Sequence, residues 1–88
     1  MKNVGIVVVT FNRKKLLEEC LSNLLSSSYS EFHIYLIDNG STDGTKESIQ
    51  DFLSNPKISY FNTGKNLGGA GGFNYGRKRA LDDGVDYI

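Results

Sequence analysis

Two stretches of this sequence set chemistry-bearing side chains directly after short apolar runs. In Ile34 to Thr45, IYLIDNGSTDGT, the run ends in an acid, Asp38, and a tight polar turn and a helix start follow. In the first stretch, VGIVVV at Val4 to Val9 leads into TFNRKKLL, which carries Thr10, Phe11 and Arg13. A carboxylate at the carboxyl end of a buried strand lies where open α/β sheets bind their ligands. It can accept hydrogen bonds from ribose hydroxyls or from a base N–H. The same acid can instead start the turn and bond a local amide. The second acid of the turn, Asp43, suits a structural role as a helix cap.

The elements that must position these groups follow from the apolar pattern. Val4 to Val9 is β-branched without alternation, as in a strand covered on both faces, and is expected to be internal and nearly fully buried. Leu16, Leu17, Cys20, Leu21, Leu24 and Leu25 form one stripe on a helix from about Arg13 to Ser26, with Asn12 as N-cap. Ser26 to Ser28 closes that helix. His33 to Ile37 reads as a second strand. A helix capped by Asp43 runs to about Leu53, with Ile49, Phe52 and Leu53 inward, and Asn55-Pro56 ends it. Ile58 to Phe61 is a third strand. A glycine-rich loop then leads to a third helix, from about Ala70 to Asp82, with Phe73, Gly76, Ala80 and Leu81 on one side and Gly84 as its C′ residue. Val85 to Ile88 begins a fourth strand. This alternation predicts an α/β fold of parallel strands with helices on both faces.

Composition narrows the function. At 88 residues there is room for one small domain, which buries only about 60–65% of its unfolded surface. Ten acidic and ten basic residues balance, so there is no nucleic-acid footprint and no polybasic membrane patch. The single cysteine, Cys20, sits among leucines at helical spacing and reads as a buried thiol. One Cys and one His are too few for a zinc site of the usual kinds. No apolar run approaches the ~20 residues of a membrane span. The first strand is interrupted by Thr10, Asn12 and Arg13 and lacks a cleavage site, so it is not a signal peptide. The acceptor-like triplet Asn39-Gly40-Ser41 is therefore accidental.

Three phosphate-binding devices can be checked. The turn Thr10-Phe11-Asn12-Arg13-Lys14 has no glycine, whereas a Rossmann dinucleotide site needs its G-x-G-x-x-G there. The nearest approach to a P-loop, GGFNYGRK at Gly71 to Lys78, has Arg77 and Lys78 where lysine and a hydroxyl are required. A flavodoxin- or receiver-like site wants acids at the end of the first strand, and there are none.

What remains is TFNRKKLL, LIDNGSTDGT and NTGKNLGGAGGFNYG, in that order. This combination resembles the amino-terminal part of a family 2, GT-A type glycosyltransferase, and the resemblance spans essentially the whole chain. The G-G-A-G-G-F run most resembles members that transfer galactofuranose or rhamnose in bacterial envelope polysaccharides. The resemblance implies a three-layer, mostly parallel sheet of order 3-2-1-4, a nucleotide-diphospho-sugar transferase half-domain over residues 1–88. It implies transfer of a sugar from a UDP or dTDP donor to a saccharide or lipid-linked saccharide acceptor, in a cytoplasmic protein associated with the membrane through its longer parent. Thr10, Phe11 and Arg13 would then lie at the donor pocket, with the Arg13 guanidinium on the pyrophosphate. Asp38 would meet the base and Asn66 the nucleotide or ribose, with Lys65 as the basic residue before it. Gly69 and its neighbours Gly68, Gly71 and Gly72 would allow close backbone approach to the donor, or close packing of a loop-to-helix junction.

The resemblance also says what is missing. The family's metal-binding D-x-D, for manganese or magnesium, would fall just past Ile88, and Asp82, Asp83 and Asp86 are not it. The general base would lie in the following half as well. The chain is thus expected to be a fragment truncated at its fourth strand, to bind no metal and to transfer no sugar alone, and either to self-associate through an open strand edge or to be only marginally stable. The alternatives are a non-catalytic nucleotide-binding module and a small α/β interaction domain whose glycines are purely structural.

Overall fold

Strands β1 (Val4–Thr10), β2 (Phe32–Asp38) and β3 (Ile58–Asn62) pair in parallel, in the order β1-β2-β3, in a computed structural model that describes residues 4–26, 31–85 and 88. The register sets Thr10 beside Asp38 and Asp38 beside Asn62, so all three strands end level. The connections are helices α1 (Lys14–Leu25), α2 (Thr45–Ser48), α3 (Gln50–Leu53) and α4 (Gly68–Asp82). The parallel α/β architecture read from the sequence is present, in the order 3-2-1. The fourth strand expected from Val85 to Ile88 and the serine run at Ser26 to Ser28 fall largely outside the described residues.

Side chains alternate across the sheet, and each face is closed differently. On one face Ile34, Leu36 and Ile58 pack against Leu17, Leu21 and Ile49, with Phe52, Leu53 and Tyr60 around them. On the other, α4 buries only Gly72, Gly76 and Ala80. Those residues recur every fourth position and let the helix backbone lie directly on β1 and β2. A Cβ on Gly76 would stand 2.5 Å from Val7 Cγ1 and 3.0 Å from Ile37 Cγ1, and one on Gly72 would stand 2.7 Å from Val9 Cγ1. The glycine run is therefore not a loop before the helix. It forms the first turns of α4, which starts at Gly68 rather than near Ala70. Phe73 and Leu81 were expected inward and are exposed. Each follows a buried small residue, and one residue turns the helix by about 100°.

Strand β1 departs from expectation as well. It is half-buried along most of its length, with only Gly5 and Thr10 buried, because among the described residues it pairs on one side only. The buried central strand is β2, where Ile34 to Ile37 are at most 1% exposed. The α1 stripe is also narrower than its sequence suggests: Leu17 and Leu21 are buried, but Leu16 is 58% exposed. The single helix expected from Asp43 to Leu53 is two one-turn helices, broken at Ile49 with φ −109° and ψ 17°. Burying the Ile49 side chain completely outweighs helical continuity there. Gly84 serves as C′, with φ +81°, and the Gly84 and Val85 N–H groups donate to Leu81 O and Ala80 O. No helix among the described residues is long and apolar enough to cross a membrane.

Candidate donor site at the carboxyl ends of the strands

The loop after β1 and the turn after β2 are built as one unit. Asn12 takes a positive φ of 50°, a conformation asparagine tolerates better than most residues. Its N–H donates to Ser41 Oγ at 2.9 Å, and its Oδ1 accepts the Thr42 N–H at 2.7 Å. Asn12 is therefore not the N-cap of α1; Arg13 occupies that position and makes no side-chain cap bond. The first N–H of that helix, from Lys14, is taken instead by Asp43 Oδ2 at 3.3 Å. Asp43 Oδ1 also accepts the Thr45 hydroxyl. That bond, together with the Lys14 amide, holds the Asp43 carboxyl below its usual range. Asp43 thus fastens α1 to the turn and does not cap its own helix, where Gly44 with φ +78° stands at the N-cap.

The start of α4 is fixed from beneath by Asn39, which is 2% exposed. Its Nδ2 donates to Gly68 O at 3.0 Å, and its Oδ1 accepts the Thr63 hydroxyl at 3.2 Å. Asn66 Oδ1 accepts the Gly68 N–H at 2.8 Å, which leaves the Asn66 NH2 group without a partner among the described residues. The chain reverses at Gly40, where φ is +78° and a Cβ would stand 3.1 Å from the Lys65 backbone. Only glycine fits that approach.

Between these pieces lies an open cavity of about 620 Å³. Thr10, Phe11, Arg13, Asn66 and Gly69 line it, five of the seven residues singled out in the sequence. Phe11 is 40% exposed, Arg13 is exposed, and among the described residues nothing outside the adjacent turns of its own helix lies within 4 Å of the Cβ position of Gly69. The Arg13 guanidinium has no partner among the described residues. The other two residues lie elsewhere. Lys65 is exposed and outside the cavity lining. Asp38 faces the α2 side of the sheet and reaches a second cleft of about 420 Å³, with Tyr60, Asn62 and Lys46. Its carboxylate is 1% exposed and already engaged: Oδ1 accepts the Ser41 N–H at 2.8 Å, and Oδ2 accepts the Tyr60 hydroxyl at 2.5 Å.

Several contributors have no motif of their own. Asn12, Asn39 and Ser41 organise the loops, and Tyr60 holds Asp38. The clue for Tyr60 is its place in β3, on the same face as Asp38 and two residues before the register partner Asn62. Metal ligation finds no support in these residues. Among the described residues no three His, Cys, Asp or Glu side chains converge, and both acids of the turn are committed to other bonds.

Comparison with known proteins gives the lineage. The chain is 31% identical over 80 residues to poly-beta-1,6-N-acetyl-D-glucosamine synthase of Staphylococcus epidermidis, covering 91% of this chain and 19% of the synthase. It is 36% identical over 86 residues to galactofuranosyltransferase GlfT1 of Mycolicibacterium smegmatis, covering 97% of this chain and 28% of that protein. The chain thus spans about a fifth to just over a quarter of the length of these curated relatives. Among solved structures it superposes on a mannosyltransferase from Pyrobaculum calidifontis, in complex with GDP-Man and Mn2+, with a TM-score of 0.79 and 26% identity, covering 88% of this chain and 24% of that one. The model of glycosyl transferase family 2 matches residues 5–88, and this chain belongs to that family.

Proposed function

We propose that this chain is the donor-nucleotide half of a glycosyltransferase, one that moves a sugar from a UDP or dTDP donor to an acceptor hydroxyl in bacterial envelope polysaccharide synthesis. The observation that carries this reading is the cavity of about 620 Å³ lined by Thr10, Phe11, Arg13, Asn66 and Gly69. It sits at the carboxyl ends of parallel strands, the usual ligand position of open α/β sheets. The Arg13 guanidinium, without a partner among the described residues, has donors suited to a diphosphate. The first turn of α4 adds N–H groups without helical partners and the positive end of a 15-residue helix. Phe11 offers an apolar face beside them, and the Asn66 NH2 group offers a donor to ribose. The chain itself binds, orients and shields the donor. Neutralising the leaving diphosphate and deprotonating the acceptor would fall to groups other than these, among them a D-x-D of the family pattern that would hold a divalent metal.

The test compares UDP and uridine binding by the full-length enzyme and its Arg13→Ala variant. Loss of a charge-assisted contact to phosphate should weaken UDP by roughly tenfold or more and leave uridine nearly unchanged. Equal losses for the two ligands, or none for UDP, would remove the arginine from the diphosphate and with it this reading of the cavity.

A further inference from the structure

The loop after β1 is tied down at every second residue. Thr10 O accepts the Asn39 N–H at 2.9 Å. Asn12 makes two bonds, its N–H to Ser41 Oγ and its Oδ1 from the Thr42 N–H. The Lys14 N–H donates to Asp43 Oδ2 at 3.3 Å. Between these ties stand Phe11 and Arg13, whose side chains line the cavity of about 620 Å³. Arg13 makes no side-chain bond at the start of α1. Only the backbone on either side of it therefore sets where its guanidinium starts from.

Asn12 is the tie that few other residues could supply. It holds a φ of 50°, and at 2.7 Å its bond from the Thr42 N–H is the shortest of the four. Without that side chain, residues 11 to 13 would be held only at Thr10 and Lys14. A long side chain on a freed loop must be ordered when its ligand binds, and that ordering weakens affinity. Ser41 takes the other Asn12 bond from outside the cavity. It borders the second cleft instead, on the far side of the bridge.

We propose that Asn12 is a positioning residue for the diphosphate: by bridging to Ser41 and Thr42 it presets Arg13, and it acts through that arginine. The inference rests on the donor-site reading above, in which Arg13 meets the diphosphate. The test measures UDP and uridine binding by the full-length enzyme and its variants. Asn12→Gly leaves the left-handed backbone accessible and removes Oδ1. It should weaken UDP by about two- to tenfold, the cost of ordering one long side chain, and leave uridine nearly unchanged. Ser41→Ala removes the acceptor of the Asn12 N–H without touching the cavity, and should weaken UDP in the same selective way. In an Arg13→Ala background neither change should cost UDP more than about twofold, because the group they position is gone. Additive losses in that background, parallel losses of UDP and uridine, or no loss of UDP in Asn12→Gly would overturn the proposal. Arg13→Ala alone separates it from the reading beneath it. If that variant binds UDP as the wild type does, the diphosphate does not meet Arg13 and both fall. If it loses UDP while Asn12→Gly adds a further full loss, only the role of Asn12 fails.

Discussion

Replacing Gly76 by alanine tests how α4 is seated, because two opposed effects act at one atom. In an exposed helix interior the change would stabilise by up to about 1 kcal/mol through backbone entropy. Here the new methyl would stand 2.5 Å from Val7 Cγ1 and 3.0 Å from Ile37 Cγ1. Neither neighbour yields easily. Both are β-branched and stiff at χ1, and Ile37 is fully buried in the central strand. Overpacking of this kind costs about 1–3 kcal/mol, so the clash should win and Gly76→Ala should lose roughly 1–2 kcal/mol net. For a domain of this size each kcal/mol lowers the melting temperature by about 4–8 °C. Urea denaturation followed by circular dichroism reads the difference. Gly69→Ala is the internal control, since among the described residues nothing outside the adjacent turns of its own helix lies within 4 Å of its Cβ position, and it should lose no stability. A Gly76→Ala chain as stable as the wild type would mean that α4 does not rest on β1 through its glycines.

Other expectations follow from the same geometry. Asp38→Ala in the full-length enzyme should weaken UDP binding by about 1–3 kcal/mol, the cost of leaving a buried partner unpaired; unchanged affinity by calorimetry would contradict the role given to this acid. Asp43 has a lowered folded pKa, set first by the Thr45 hydroxyl and also by the Lys14 amide. Its contribution is therefore present above its ordinary value of 3.8 and is lost as pH falls from there through the lower folded value. Asp43→Asn should flatten the acid limb of the stability profile, and an unaltered limb would show that the bonds to the Thr45 hydroxyl and the Lys14 amide carry no weight. The 88-residue chain should release no UDP from a donor even with manganese or magnesium present, and should show a mass above the monomer by light scattering, because β1 pairs on one side only among the described residues. Metal-dependent UDP release by this piece, or a strictly monomeric and high-melting chain, would contradict those two expectations in turn.

Much of the architecture was legible from pattern. The buried run at Ile34 to Ile37, the stripe through Leu17 and Leu21, and Gly84 at the end of α4 each read directly from residue type and spacing. The errors share a cause, since each needed knowledge of what lies opposite. Asparagine and aspartate cap helices in general, yet Asn12 bonds across to the turn after β2 and Asp43 to the first amide of α1 rather than of its own helix. Phe73 looked like core, yet the sheet admits only the hydrogens of Gly72 and Gly76 at that distance. Strand β1 read as internal because its residues are apolar, while its burial depends on what pairs with its second edge. The site was legible as a set of positions and not as one pocket. Five residues converge, Lys65 does not, and Asp38 opens on the other side of the Asn12–Thr42 bridge. No local motif marks Tyr60, because only strand register brings it to Asp38.

The central claim is that a nucleoside diphosphate sits in the cavity between the loop after β1 and the first turn of α4. Titrating the isotopically labelled protein with UDP and following its amide resonances tests this most directly. Shifts should concentrate at Thr10 to Arg13 and at Asn66 to Gly69, with a second group at Asp38 to Ser41, and uridine should lose chiefly those near Arg13. Shifts confined to other surfaces, or no saturable shifts at millimolar UDP, would contradict the account.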